Sequence, residues 1–313
     1  MCLWLYRLKR ISSNFCMSTQ FNFLVPAVSS ADYRPKQVVD LMSRNWFSLA
    51  KERTKPIIHK ATHGDDEMWV EITPASNQGI ATVWDEDVLI FAVAKKVHEI
   101  NQTKRSAVSD AHISSEVIFT GPEFYNYTQR NRSSIGGKQY QQLWSSIQRL
   151  KGTLVRTNIR QGNQNRSPQF NWLSYADQHI KDGKHLGFRV DLPPWIMEPL
   201  MQPRPHALTL NPEYFRLSGG VERWLYLYAR KAGGSNPEGW AESAQLIYAK
   251  AAVDTPFKVF WHRIIKLLKA RGGAILEYDV TVETKGRQRF LRFTRNKYMP
   301  REFKPLTMEH SAS

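Results

Sequence analysis

The chain has 313 residues, 42% of them hydrophobic, with 44 Lys and Arg against 28 Asp and Glu and a net charge of +16 at neutral pH. That length carries more than one core, and no apolar run approaches the roughly 18 residues needed to cross a bilayer, which excludes a helical membrane span and predicts a soluble protein. Both cysteines, Cys2 and Cys16, lie in the first sixteen residues, which excludes a disulfide framework or a Cys-based zinc site in the body of the fold and fits a reducing cytoplasm.

Residues 1–20 place an apolar run before Arg7, Lys9 and Arg10. A secretory signal has the opposite order, so this segment is expected to be a disordered arm or to precede a true start at Met17. An N-terminal arm and β-hairpin extension follows over 21–80. Within it a helix is predicted over 35–50, with Val38, Leu41, Met42 and Phe47 on one side. PIIHKATHGDDEMWVEITP then alternates about a Gly-Asp turn and predicts strands near 56–61 and 67–73. His59 and His63 lack partners at ligand spacing, so no metal is expected there.

A first winged helix-turn-helix domain is predicted over 81–192. Its scaffold helix, 82–102, carries Asp85, Glu86 and Asp87 at the positive end of the dipole and a stripe of Leu89, Val93, Val97 and Ile100. A strand over 116–119 leads to Thr120, expected to cap a brief helix from Pro122 to Gln129. In IGGKQYQQLWSSIQRLKGTLVRTNI, residues 135–159, Tyr140, Leu143, Trp144, Ile147 and Leu150 form an apolar stripe at helical spacing. Opposite it stand Lys138, Gln141, Gln142, Ser145, Gln148 and Arg149. Uncharged side chains of this kind hydrogen-bond to base edges and cations meet phosphate or guanine, so the face suits a major groove; an ordinary solvated helix face is the plainer alternative. Lys151 closes the helix. TLVRTNI and the β stretches near 169–180 and 185–192 are expected to pair into a wing that carries Arg156, Arg160 and Arg166 toward phosphate or a minor groove.

Residues 193–217, with six prolines and the short apolar helix WIMEPLMQ, read as a linker. A second winged helix-turn-helix domain is predicted over 218–300, beginning with helices over 221–232 and 239–253. In TPFKVFWHRIIKLLKARGGAILEYDV, residues 255–280, Phe257, Phe260, Trp261, Ile264 and Leu267 repeat the earlier apolar skeleton at a constant offset from Tyr140 through Leu150. Each copy has a Trp at the same place and closes on a cation and a glycine, as tandem modules of one design do. Thr255 is expected to cap this helix with Pro256 in its first position. Its polar face is Lys258, His262, Arg263, Lys266 and Lys269, with Arg271 beyond. Two strands then flank Lys285, Gly286 and Arg287 as a second wing, with Arg289 on the return strand, and 301–313 is expected to be a disordered tail.

The charge is concentrated on these two regions. Lys104–Arg166 holds ten cationic residues against three acidic, Lys258–Arg301 twelve against three, and together they account for the whole excess. Two basic surfaces, each built around a repeated helix, imply a polyanionic partner rather than a membrane surface, because the apolar helix faces are committed to cores. The more basic second module should supply most affinity through phosphate neutralisation, and the first finer base selection or a dimer surface.

GIATVWDEDVLIFAVAK (Gly79–Lys95), the segment from Gly136 to Arg156 and the basic C-terminal module resemble the plasmid replication initiator protein A family of tandem winged-helix initiators, over residues 35 to 300. The resemblance implies a protein that binds repeated duplex sequences at a plasmid origin, helps to open an adjacent AT-rich region with contact to the melted single strand, and recruits the host initiator and replicative helicase. It also implies a monomer–dimer equilibrium, with repression of its own promoter by the dimer.

No catalytic residue, metal or cofactor is expected. The nine histidines show neither H-x-H nor H-E-x-x-H spacing, Tyr125 and Tyr127 read as core rather than nucleophiles, and Gly136-Gly137-Lys138 lacks the rest of a phosphate loop. The rival readings are a transcriptional repressor, a single-stranded DNA-binding protein and a structural interaction protein. Single-strand binding needs aromatics exposed along a cationic groove, whereas the tryptophans here fall on apolar stripes.

Overall fold

The computed structural model describes residues 33–63, 66–74, 78–105, 113–129, 135–159, 168–233, 236 and 238–296. Residues 1–32 and the expected C-terminal tail over 301–313, with Arg160 and Arg166, lie outside the described residues. In chain order the first elements are β1 (Lys36–Val38), a 3-10 turn (Val39–Met42), β2 (Ile57–His63), β3 (Asp66–Pro74), α1 (Glu86–Arg105), β4 (Glu116–Phe119), α2 (Gly121–Tyr127) and α3 (Gly137–Gly152). There follow β5 (Thr153–Thr157), β6 (Gln169–Asn171), β7 (Tyr175–Lys181), β8 (Lys184–Asp191), α4 (Pro194–Met201) and β9 (Ala207–Thr209). A second 3-10 turn (Pro212–Arg216), α5 (Gly220–Ala232), β10 (Trp240–Ser243), α6 (Ala244–Ala251), α7 (Phe257–Ala270), β11 (Ala274–Ile275), β12 (Tyr278–Lys285) and β13 (Gln288–Arg295) complete the chain.

The two halves share one order of elements. In each, a long helix is followed by a strand, two further helices and a hairpin whose last strand pairs with that first strand: β4-β8-β7 in one half, β10-β13-β12-β11 in the other. Thr120 caps α2 as its sequence requires, accepting from the Glu123 N–H at 3.2 Å while Glu123 accepts from the Thr120 N–H at 3.4 Å, a reciprocal box that satisfies two orphan donors.

Four sequence expectations are corrected. No α-helix forms over 35–50; Val38, Leu41, Met42 and Phe47 are buried, but β1 pairs antiparallel with β9, so sheet bonds satisfy the backbone that a helix would have used. The hairpin β2-β3 is no separate extension. Val70–Pro74 pairs with Thr153–Thr157, making a four-stranded sheet β2-β3-β5-β6 that includes the strand leaving α3. In consequence β5 and β6 lie in a different sheet from the β7-β8 hairpin, so the strands expected to form one wing are divided between two sheets. Finally, the helix expected over 239–253 begins as β10, whose residues pair with β13 before Ser243 caps α6 by accepting from the Leu246 N–H. A strand of four residues leaves too short an alternation to separate from a helix start.

The halves are locked together at the start of α1. Arg223 of α5 is fully buried, and its guanidinium donates to Asp87 Oδ1 at 2.7 Å and Oδ2 at 3.3 Å, and to the carbonyls of Val83, Phe215 and Leu217 at 2.8 to 3.1 Å. Beside it Glu86 accepts from Gln37 Nε2 at 2.5 Å, and burial raises its carboxyl pKa to about 8. The segment before β2 ties the same halves at a second place. Asn45 Nδ2 donates to the Ala251 carbonyl at 2.9 Å, and Arg53 reaches the Ala252 carbonyl at 2.6 Å and Asp254 at 3.2 Å. Gly220 makes that approach possible: a Cβ there would stand 2.2 Å from the Leu49 carbonyl oxygen.

Removing one side of a buried ion pair strands the other, so Arg223→Met should lower stability in urea by about 3 to 5 kcal/mol. Adding Asp87→Leu should recover much of that loss. Between pH about 6.5 and 8 the folded chain holds a Glu86 proton that the unfolded chain has lost, so stability should fall as pH rises. His59, whose imidazole is held neutral by burial down to about pH 4, contributes only below that window. Urea midpoints against pH should flatten in Glu86→Gln.

Candidate nucleic-acid interface

The second half presents the more strongly charged surface. Phe260, Trp261, Ile264 and Leu268 fix α7 in the core, and its 3.6-residue period turns Lys258, His262, Arg263, Lys266 and Lys269 outward, all exposed. None of the five has a carboxylate partner among the described residues. The N-cap is Pro256, and no side chain caps the helix; Thr255 is not the cap, since its carbonyl accepts from the Tyr248 hydroxyl at 2.8 Å one step too early in the chain.

After α7 the chain forms the β12-β13 hairpin. Lys285 pairs with Gln288 across a two-residue turn whose first central residue, Gly286, has φ +60°, a conformation that favours glycine. Lys285, Arg287 and Arg289 are exposed around this tip, while Arg292 is taken by Glu283. Arg271 does not belong to the surface. Its side chain is 7% exposed and ion-paired to Glu222 at the start of α5, so it anchors the end of α7 instead.

In the first half, Leu143, Ile147 and Leu150 are buried, Tyr140 stacks on His185 at 4.7 Å and Trp144 on Phe188 at 6.2 Å. Lys138, Gln141 and Gln142 are exposed, and Ser145 is half-buried with its hydroxyl donating to the Gln141 carbonyl at 2.8 Å. Arg149 leaves the predicted set. Its Nε and Nη2 donate to Asp85 Oδ2 and Oδ1 at 2.8 and 2.6 Å, and those bonds raise the guanidinium pKa. Lys151 is exposed, with Nζ donating to the Ser174 carbonyl at 2.6 Å. Arg156 is exposed on β5, paired with Glu71 across the four-stranded sheet at 3.2 Å, and so lies in a different sheet from the β7-β8 hairpin.

Two further cations of this half, passed over in the sequence, are exposed. Lys181 and Lys184 flank the β7-β8 turn, where Asp182 and Gly183 have φ +50° and +72°. Both central residues are left-handed, which is the type I′ pattern that Asp-Gly signals between alternating stretches. The polar face of α3 also lines a groove of about 1020 Å³, together with Lys51–Thr54, Gln78, Gly79, Thr82, Trp84 and Asp85 from other parts of the chain.

Exposed cations on helix faces and hairpin tips, without paired carboxylates among the described residues, form a surface suited to phosphate and base edges. Among the described residues no helix is long and apolar enough to cross a membrane, and no group of three or more His, Cys, Asp or Glu is placed to hold a metal.

A putative replication protein of Wigglesworthia glossinidia brevipalpis is 30% identical over 204 residues, which cover 64% of this chain and 70% of that protein. Domains 2 and 3 of RctB, in a selenomethionine crystal structure, superpose with a TM-score of 0.58 at 14% identity, over 83% of this chain and 99% of that one. At that identity the likeness shows the fold, a mixed α and β arrangement with antiparallel sheets. Residues 36–279 match the family model described as replication initiator protein A. With most of its length matched, the chain belongs to the replication initiator protein A family, whose members are replication initiators.

Proposed function

We infer that this replication initiator is a pair of winged helix-turn-helix modules that binds repeated duplex sequences at a plasmid origin, promotes opening of that origin and recruits host replication proteins, by binding alone and without catalysis of its own. The carrying observation is the exposed face of α7. Four cations and a histidine stand there with no carboxylate partner among the described residues, and the hairpin that follows in the chain adds three more exposed cations at its tip. In the helix, strand, helix, helix, hairpin order, α3 and α7 are the recognition helices, and β7-β8 and β12-β13 the wings.

The division of labour follows from charge. Lys258, Lys266 and Lys269 neutralise phosphates, Arg263 pairs with a base, and Gln141 and Gln142 read base edges with few cations beside them. Trp46, Trp172, Trp195, Trp224 and Trp261 are buried, which favours duplex over single-strand binding as the principal mode.

The experiment is binding to a duplex from the origin of the encoding replicon and to a random duplex, across a salt series. Origin binding that survives salt while random binding fades is the expected result; equal affinities with one steep slope would sink sequence-specific initiation. Lys266→Ala should weaken both duplexes alike, and Arg263→Ala should cost about 1 to 3 kcal/mol at one base position. Arg149→Ala and Arg271→Ala should instead register in the thermal midpoint, because their carboxylate partners are buried.

A further inference from the structure

A helix that reads bases through glutamines needs phosphate clamps to fix its register, because base contacts alone do not position a protein on a duplex. On the polar face of α3 they are few. With Arg149 bound to Asp85, Lys138 is the one predicted cation of the α3 face not committed to a described carboxylate. The groove beside α3 supplies the missing charge. Lys51 lines the same groove as Lys138 and is likewise exposed.

The segment that carries Lys51 is held in place. Ser48 N–H donates to the Ala81 carbonyl at 2.9 Å, Val83 N–H donates to the Ser48 carbonyl at 3.0 Å, and Ile80 N–H donates to the Arg53 carbonyl at 2.8 Å. Arg53 itself is spent on four acceptors, among them Ala252 and Asp254 of the other half. Lys51 therefore projects from a rigid segment, which keeps low the ordering cost of a contact made there.

Resting on the duplex-binding reading above, we propose that the groove lined by α3 and Lys51–Thr54 is the seat of one phosphate strand of the bound duplex, clamped by Lys51 and Lys138. The segment before β2, outside the helix-turn-helix itself, is then part of the DNA interface. Glu52, exposed in the same groove, opposes the strand and limits its affinity.

The test measures full-length protein on an origin duplex and on a random duplex of equal length, over a salt series. Lys51→Ala should weaken both about fivefold and make the slope of log K against log salt shallower by about 0.9, the value for one phosphate contact. Glu52→Gln should tighten both about twofold, an opposite effect that loss of structure would not produce. Lys104→Ala, at the far end of α1 and about 28 Å from Asp85 along the helix, should change neither. If Lys266→Ala weakens binding while Lys51→Ala and Glu52→Gln leave affinity and slope at wild-type values, the groove assignment falls and the duplex reading stands. A wild-type chain that binds neither duplex overturns both.

Discussion

A guanidinium has five N–H groups, and inside a protein every one of them needs an acceptor. Arg223 meets that demand with both oxygens of Asp87 and the carbonyls of Val83, Phe215 and Leu217. These acceptors come from the start of α1 and from the chain entering α5, so the bond pattern fixes one half of the molecule against the other. The pair does not act alone. Asp85, two residues from Asp87, holds Arg149 of α3, and Glu222, next to Arg223, holds Arg271 at the end of α7. Three arginine–carboxylate pairs thus run from one proposed recognition helix to the other through the first turns of α1 and α5.

This ionic path explains how two helices of similar skeleton come to differ at their surfaces. Each needs an arginine to tie its C-terminal end to a scaffold helix. In α3 that arginine lies within the helix, one of the few cations on its polar side, and the face left over is rich in amides. In α7 the tying arginine lies just past the helix end, so the outward cations stay free for a partner. Net charge counted along the chain blurs this difference, since a bound arginine and a free one contribute equally to it.

Much of the architecture was legible in the sequence because apolar residues at three- and four-residue spacing can be buried in few ways. Leu143, Ile147, Phe260 and Ile264 were placed in the core from periodicity alone, and the Thr120 cap from its position before a proline. What periodicity missed involves distant partners. The apolar residues over 35–50 fit a helix locally, yet β1 pairs with β9 across about 170 positions of sequence, a contact no local pattern announces. The carboxylate partners of Arg149, Arg156 and Arg271 escape the sequence for the same reason. An arginine near a helix end offers itself to DNA or to a carboxylate with equal plausibility until the carboxylate's position is known.

In α3 the residues that hold the helix and those that face outward are separate sets. Leu143, Ile147, Leu150 and Arg149 anchor it, whereas Lys138, Gln141 and Gln142 make none of the core contacts. On the proposed reading, substitutions at those three positions change which bases are preferred while leaving the folded state nearly as stable as before. A lineage carrying this scaffold can therefore follow its binding site as that site drifts, and related replicons can diverge into mutually blind systems without inventing a new protein. The freedom is local. It ends one residue past a face position, at arginines and leucines whose change would unseat the helix.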